Sequence, residues 1–594
     1  MCLVAFLDLD RQRIPTGFGT GSENAAGVQP AAFVFLGPGP AEHQGGEPPR
    51  LVTRGASSLI GRVRLDDRPA VFSRLGLTAS EGRSLGDAEL VLRGCLEFGE
   101  AFLAGLAGDF SFVLWDAGRG QLLGGVDATG VRGLFQARLG QLLALSDTPG
   151  FLLNLPGLSR EVDPLAVACA LVRSRLHQHQ PERTFFRDLR QVPPGHWLRV
   201  RGAEPEMGRY WSAEEVASRP RHRASLPEMA KNLQELLGRA VRDRLPEAGP
   251  AGCHLSGGLD SSSVTCLAAV ARPDREVLAF AHRVREDYQG TEPAGRSYRE
   301  QRYLDQVLAR YPNVRLLCED AGERGFLEGL EPYWWHSADF PLNGLHRPWG
   351  EALSERAASY HLDRVLTGVF GNLTISWGGP PLPTVAHRLY QRVRDLFRPL
   401  RMYWRETTPL RPEWIGELDL ERRHWALSPE FRTLPLSKGS LARLQPAYRA
   451  RFGHELLDPT LDVRVVEFCL QAPPRAFRQG PERRVLIREA MRGIVPDGIL
   501  DRRDRGMQRP DWPQLMARQL PLFRQEVARL AGCALARRFI DFAGVEGCLV
   551  EPDPSEHGRR VSQIWQRKVL GAVMMGRFLE WVEQGACPAL PGAR

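Results

Sequence analysis

The segment from Cys253 to Ala269, CHLSGGLDSSSVTCLAA, constrains this chain more than any other. A short apolar run ends at Leu255, a Ser-Gly-Gly turn follows, and Leu259, Val264, Leu267 and Ala268 then recur at helical spacing. Strand, glycine turn and helix amino terminus in succession make an anion site. Glycines let the backbone approach closely, and the first N–H groups of the helix lack intrahelical partners. The hydroxyls of Ser256, Ser261 and Ser262 can donate to phosphate oxygens, while Asp260 can hold a magnesium ion that bridges them. The loop has neither the lysine of G-x-x-x-x-G-K-[ST] nor the third glycine of a dinucleotide fingerprint. It is a phosphate cradle of another kind.

Around this segment the chain alternates strands and helices. Strands are expected at Gly252 to Leu255, Val277 to Arg283 and Arg364 to Leu366, and helices at Met229 to Leu245, Tyr298 to Arg310, Leu461 to Leu470, Arg483 to Arg492 and Gln563 to Val582. Such alternation implies a parallel α/β sheet. The first two hundred residues read differently. DFSFVLW, Asp109 to Trp115, places Phe110, Phe112 and Leu114 on one face as a half-buried strand should, and the short apolar runs that follow, parted by glycine and aspartate turns, suggest an antiparallel meander. Residues 206–225, mixed in polarity, suit a connection, which gives domains at 1–205 and 226–594. No repeat of domain-building length is visible.

Composition excludes several classes. With 43% hydrophobic and 25% charged residues the chain is globular rather than disordered. The net charge of +8 rests on arginine, because Lys231, Lys438 and Lys568 are the only lysines. No compact basic run accompanies it, so codon bias explains the excess better than nucleic-acid binding. Ten scattered cysteines form no C-x-x-C pair, which argues against disulfides and zinc. The opening MCLVAFLDLD has no basic region before its apolar run, and no stretch is apolar enough to span a membrane. A cytoplasmic protein is expected, with neither nucleic acid nor membrane as partner.

Ser256-Gly257-Gly258-Leu259-Asp260-Ser261-Ser262 resembles the pyrophosphate motif SGGLDSS of asparagine synthetase-like enzymes. These enzymes cleave ATP to AMP and pyrophosphate and so activate a carboxylate as an acyl-adenylate. Leu366-Thr367-Gly368-Val369-Phe370-Gly371-Asn372 falls where they carry G-E-G-S-D-E after a strand. Glu455 and Asp462 frame ELLDPTLD at the place of E-x-R-x-P-F-L-D, and Arg484, Arg488 and Ala490 match K-x-x-L-R-x-A. Glu300 and Tyr303 look like the D-E-x-x-Y helix that faces the nucleotide. The resemblance implies an ATP and pyrophosphate site at Leu255 to Ser262 with Thr367 and Gly368, and a magnesium site at Asp260 and Asn372. The implied fold is α/β, a glutaminase-like α+β sandwich followed by an adenine nucleotide α-hydrolase-like parallel-sheet domain.

Departures narrow the resemblance. Asn372, a neutral ligand, replaces the family's magnesium-holding aspartate, which shifts the metal toward Asp260. GNLTIS, PTLDVRVVEFCL and RGMQRPDW look like lasso peptide cyclases, the branch that closes a macrolactam ring on a ribosomal peptide. Where relatives carry the lysine of R-x-K-x-G-F-x-x-P, aligning Arg502, Gly506 and Pro510 puts Asp504. Arg505 or Arg503 supplies the cation there, or Asp504 assists deprotonation of the amine; solvated surface arginines are the alternative.

The first half resembles the family's glutaminase domain through GLAGDFSFVLWD and DATGVRGL. Cys2 sits where loss of Met1 would expose a nucleophile with its own α-amine as base. However, M-C-G-I has become Met1-Cys2-Leu3-Val4, and the glutamine-gripping N-G-E-I-Y-N has become Arg62 to Asp67, RVRLDD. Both changes argue that the glutaminase is vestigial. Tyr333, Trp334, Trp335 and His336 with Asp339 form either core or the lining of a peptide groove, and His254 reads as a strand residue rather than an acid or base.

The expected activity is that of a lasso peptide cyclase using ATP and magnesium, with a precursor peptide as substrate and a leader peptidase and leader-recognition protein as partners. Two rivals stand beside it: a glutamine-dependent asparagine synthetase or other small-molecule amide synthetase, and a non-catalytic scaffold that binds leader peptide.

Overall fold

The structure is a computed structural model and describes residues 2–8, 26–28, 31–36, 49–172, 180–288, 290, 292, 295–340, 344–379, 406–425, 440–552, 561 and 563–585. The side chain of Cys2 lies outside the described residues.

Two antiparallel sheets of six strands stack in the first two hundred residues. One runs Leu189–Val192, Leu134–Leu139, Leu142–Ser146, Cys2–Asp8, Ala31–Leu36, Ala26–Val28; the other runs Pro205–Arg209, His196–Val200, Gln121–Val126, Gly108–Asp116, Ser57–Leu65, Arg50–Arg54. Leu3, Ile60, Val113, Leu122, Leu143 and Leu198 fill the space between them. The strand Gly108–Asp116 departs from the expected half-buried form, since it is buried on both faces. Val113 and Trp115 point between the sheets, whereas Phe110, Phe112 and Leu114 pack under the helix Asp87–Phe98. Asp109 and Ser111, which in the sequence suggest a solvent side, are both buried, Asp109 against Arg64 and Arg244. The expected meander is also divided: Gly108–Asp116 pairs with Gln121–Val126 in one sheet, and the turn DATGVRG carries the chain across to the hairpin of Leu134–Leu139 and Leu142–Ser146 in the other.

Residues 206–225 continue the edge strand Pro205–Arg209 and then form the helix Ala213–Ser218. At Ser225 a capping box starts the amphipathic helix Leu226–Arg242: Ser225 N–H and Oγ both donate to Glu228 Oε2 at 2.8 Å.

Beyond it lies a five-stranded parallel sheet in the order Val314–Glu319, Val277–His282, Ala251–His254, Arg364–Leu366, Glu455–Leu457. The first of these strands in the chain sits at the centre, so the winding direction reverses between it and Arg364–Leu366. Ligands of open α/β sheets bind at the carboxyl ends of strands beside such a reversal.

The two halves share a core. The outer face of the first sheet, with Phe6, Phe135 and Ala144, packs on the carboxy-terminal helices around Phe578 and Trp581. Trp334 belongs to this core, 1% exposed, with its ring 5.7 Å from Phe578 and 6.1 Å from Trp581. Gln563 to Val582, expected as one helix, is a π-helical turn Ile564–Val569 leading into Leu570–Glu583. No helix among the described residues is long and apolar enough to cross a membrane.

A second tie between the halves is ionic and buried. Arg62 Nε lies 2.7 Å from Asp147, which also accepts from the Leu3 N–H at 2.9 Å. Arg449 approaches the same carboxylate at 3.4 Å and Glu455 at 3.3 Å, and Arg132 reaches Glu455 at 2.5 Å. Arg64 pairs with Asp66 and, at 2.6 Å, with Asp109. Arg244 spans Asp109 at 3.3 Å and Asp462 at 2.8 Å.

Candidate functional site

Leu255 leaves the central strand with its N–H still bonded to the Phe280 carbonyl at 2.9 Å, and the chain turns into the helix Leu259–Ala271. Gly257 makes the turn at φ +63°, and a β-carbon there would lie 2.9 Å from Tyr303 Cβ. Only glycine meets both conditions at no steric cost. Ser261 Oγ accepts from the Ser256 N–H at 3.1 Å and lies 2.9 Å from Ser256 Oγ, which closes the loop. Among the described residues no side chain caps the helix, and Ser262 Oγ is buried without a hydrogen-bond partner. The cradle therefore keeps free N–H donors and a hydroxyl for phosphate oxygens.

The neighbouring strand supplies the facing wall. A β-carbon on Gly368 would stand 2.8 Å from the Asp260 backbone, so the Thr367-Gly368 turn lies directly against the cradle. Thr367 is 2% exposed, and its hydroxyl donates to Asp458 at 3.3 Å. It fixes the wall rather than facing the open side.

Asp260 fits a cation. Its Oδ1 is buried and has no hydrogen-bond partner among the described residues, and burial pushes its carboxyl up to about 6, with the nearby Ser376 hydroxyl and Arg484 charge opposing. A buried carboxylate in this state is costly until a positive charge arrives. Asp458 is close but saturated, accepting from the N–H groups of Phe370 and Thr460 at 2.9 Å each and from Thr460 Oγ1 at 2.6 Å. Asn372 Oδ1 accepts from Arg484 Nη2 at 3.0 Å. No group of three or more His, Cys, Asp or Glu forms a metal cage among the described residues. Magnesium here would take Asp260 and complete its shell with phosphate oxygens and water, as that ion commonly does.

Over the cradle sits a cluster of charge organised by Arg502. Its Nη1 donates to the Gly257 carbonyl and to Glu300 Oε1, each at 3.1 Å, and its Nε lies 2.8 Å from Asp504 Oδ1. Its Cζ stands 4.3 Å from the centre of the Tyr303 ring. The Tyr303 hydroxyl donates to Asp504 at 3.3 Å and accepts from Arg302 at 2.9 Å. Burial pushes the Glu300 carboxyl up to about 7, the Arg502 charge opposing and Asp504 adding to the rise. A carboxyl titrating near neutrality beside a phosphate cradle can take a proton from an amine.

Glu300, Tyr303 and Asp504, two hundred residues apart in the chain, thus meet in one place. Arg503 and Arg505 do not join them: Arg503 is 86% exposed at its side chain and 3.4 Å from Glu482, and Arg505 is exposed. The backbone explains this. Arg505–Gly506 adds as a short parallel strand to Arg296–Ser297, which turns the flanking arginines outward and Arg502 inward. Arg502, an alignment anchor in the sequence, is the guanidinium that the fold places over the cradle; Arg484 was likewise legible only as a match to a helix motif.

In the amino-terminal half Arg62, Arg64 and Asp66 of the segment Arg62 to Asp67 are committed to the buried ion pairs described above. A charged pair occupies the strand where the resemblance sought a glutamine grip.

The asparagine synthase family model matches residues 232–581, and the glutamine amidotransferase domain model matches residues 72–211. Amidase chyE of Penicillium rubens is 29% identical over 300 residues, 49% of this chain and 43% of that protein. Amidase chry2 of Gibberella zeae is 35% identical over 182 residues, 30% of this chain and 26% of that protein. This chain therefore spans less than half the length of either amidase. A glutamine-hydrolysing asparagine synthetase of Bacillus subtilis is 22% identical over 453 residues, 70% of each chain.

Proposed function

The chain belongs to the asparagine synthase family, and we propose that it is an ATP-dependent amide-forming ligase of the lasso peptide cyclase type. A side-chain carboxylate of a precursor peptide attacks the α-phosphorus of ATP; a P–O bond forms and the bond to pyrophosphate breaks. The amino-terminal amine of the same peptide then attacks the acyl carbon, the C–N bond forms, and AMP leaves with the acyl C–O pair.

This chain's residues have separable tasks in that scheme. The free N–H groups after Gly258 and the hydroxyl of Ser262 bind phosphate. Asp260 would hold a divalent cation, which would supply charge neutralisation at the phosphates when bound. Glu300 receives the proton lost by the amine, and Arg502 orients Glu300 while keeping the Gly257 turn in place. The cluster's burial limits the water that would hydrolyse the adenylate.

The observation that carries the choice of amine is the pairing of Arg62 with Asp147 and of Arg64 with Asp109. These pairs take up the positions that would grip glutamine, so the reading favours an amine from the substrate itself over ammonia. Glutamine-dependent asparagine synthesis is the competing reading, since the family includes it. The test incubates the protein with ATP, magnesium and the peptide encoded by a short reading frame beside its gene, following pyrophosphate and the peptide mass. A peptide lighter by one water supports the cyclase; asparagine formed from aspartate and glutamine, with the peptide unchanged, overturns it.

A further inference from the structure

Seven residues beyond Arg502 the chain buries another guanidinium whose partners are incomplete. Arg509 is 1% exposed, and its one ion pair runs from Nε to Asp511 Oδ1 at 3.3 Å. Its Nη1 and Nη2 have no hydrogen-bond partner among the described residues. The ring of Phe326 covers it, 5.2 Å from Cζ to centroid. The backbone is held at φ +55°, a left-handed conformation that costs a residue with a β-carbon about 1–2 kcal/mol. A guanidinium carries five N–H donors. One that is buried with four of them unmet persists against a large desolvation penalty.

Its surroundings face the carboxyl ends of the parallel sheet. The register sets His254 against Phe280, so His254, Phe280 and His282 share one face, and His254 stands two residues before Ser256 of the cradle. The His282 ring lies 5.5 Å from Trp349, whose Nε1 donates to His346 Nδ1 at 3.1 Å. Burial, with Arg509 and His346 adding, holds His282 down to about 3, and burial with His454 holds His254 down to about 4. Both imidazoles are neutral at physiological pH. The other charged groups acting on Arg509 are engaged: Arg285 with Asp287 at 2.9 Å and Glu323 at 2.8 Å, and Asp320 with the Gly322 N–H at 2.8 Å.

We propose that Arg509 is a carboxylate-binding residue, whose Nη1 and Nη2 receive a carboxylate of the acyl substrate as a bidentate pair beside His282. Assigning that carboxylate to the acyl substrate rests on the adenylation reading; the anion site itself does not. Fork-to-fork pairing satisfies two orphaned donors at once, which a lysine cannot do.

The test titrates the full chain with glutarate, and with glutaramide as its neutral counterpart, following heat release and thermal unfolding. Glutarate is expected to bind saturably and raise the melting temperature, and glutaramide to do neither. Arg509→Gln is expected to abolish the glutarate response and to melt below wild type, because it leaves the buried Asp511 without its counter-charge. Arg509→Lys keeps a response weakened about tenfold, and decides the matter should the glutamine variant fail to fold. An absent glutarate response in wild type, or an equal one in the folded variants, overturns the proposal. ATP–pyrophosphate exchange with the precursor peptide on the same preparations separates the readings. Glutarate binding through Arg509 without exchange removes the ligase reading alone; exchange that is indifferent to Arg509 removes this one alone.

Discussion

Arg502 Nη1 and Glu300 Oε1 stand 3.1 Å apart, and each is held by the fold rather than by solvent: the arginine side chain is 5% exposed and the glutamate 18%. The pair joins the turn after Leu500 to the start of the helix Gln301–Arg310, directly above the phosphate loop. Glu300→Gln keeps the shape of this contact and removes the base. Amide formation is expected to fall roughly 10²- to 10⁴-fold. ATP–pyrophosphate exchange, which precedes amine attack, persists. Loss of both together would place Glu300 in phosphate binding instead.

The same carboxyl couples stability to pH. Its folded value of about 7 lies above the ordinary 4.5, so the folded chain holds the proton more tightly than the unfolded one. The stability it contributes is full below pH 4.5 and lost as pH rises toward 7. Asp260, raised from 3.8 to about 6, acts in the same sense over its own window. Turnover by a general base follows the opposite course. Melting temperature should fall while kcat rises on the way to neutrality, and Glu300→Gln should flatten the kcat limb.

Asp260→Asn separates metal from fold. With its buried, unpartnered Oδ1 among the described residues the carboxylate is a burden on the metal-free protein, so the variant should melt at or above the wild-type temperature at pH 8 without added metal. Manganese binding in the presence of a non-hydrolysable ATP analogue, read by electron paramagnetic resonance, should weaken at least about tenfold. Unchanged manganese affinity would move the cation elsewhere.

Gly257→Ala adds a β-carbon 2.9 Å from Tyr303 at φ +63°. A loss of roughly 1–2 kcal/mol from the left-handed conformation is expected, together with displacement of Tyr303. Urea denaturation reads the first. The affinity for ATP, expected to drop in step, reads the second.

Arg62→Ala leaves Asp147 buried with only the more distant Arg449, at 3.4 Å, for charge. Breaking a buried pair from one side costs about 3 kcal/mol or more, visible as a lower urea midpoint. Cys2→Ala, by contrast, should leave peptide cyclisation unchanged with or without glutamine. A glutamine-dependent product lost in that variant would restore the glutaminase.

The cradle was legible because its signals are local: apolar run, glycines and helical spacing all lie within Cys253 to Ala269. The parallel sheet followed from the same periodicities. Glu300, Tyr303 and Asp504 became visible only through motif likeness, since nothing local says that residues two hundred apart converge. The choice among the arginines of DRRDR was not legible at all. It depends on a two-residue strand pairing at Arg505–Gly506, too short to leave a pattern. In the amino-terminal half the alternation of DFSFVLW suggests a solvent side at Asp109 and Ser111, whereas both are buried, and the distant Arg64 and Arg244 that neutralise Asp109 leave no local pattern. Arg509 escaped for a related reason: burial of a charge is a property of the surroundings, and composition counts it as surface.

The ionic seam between the halves bears on how the chain can be altered. Glu455 opens the last strand of the parallel sheet and pairs with Arg132 of the first half as well as Arg449, while Asp462 pairs with Arg464 and with Arg244, which also reaches Asp109 of the first half. Cutting the gene at the junction would strand carboxylates and guanidiniums in the interior of each fragment. The first half thus neutralises charges that the second half buries, Arg132 for Glu455 and Asp109 for Arg244, and this structural task is independent of any chemistry at Cys2.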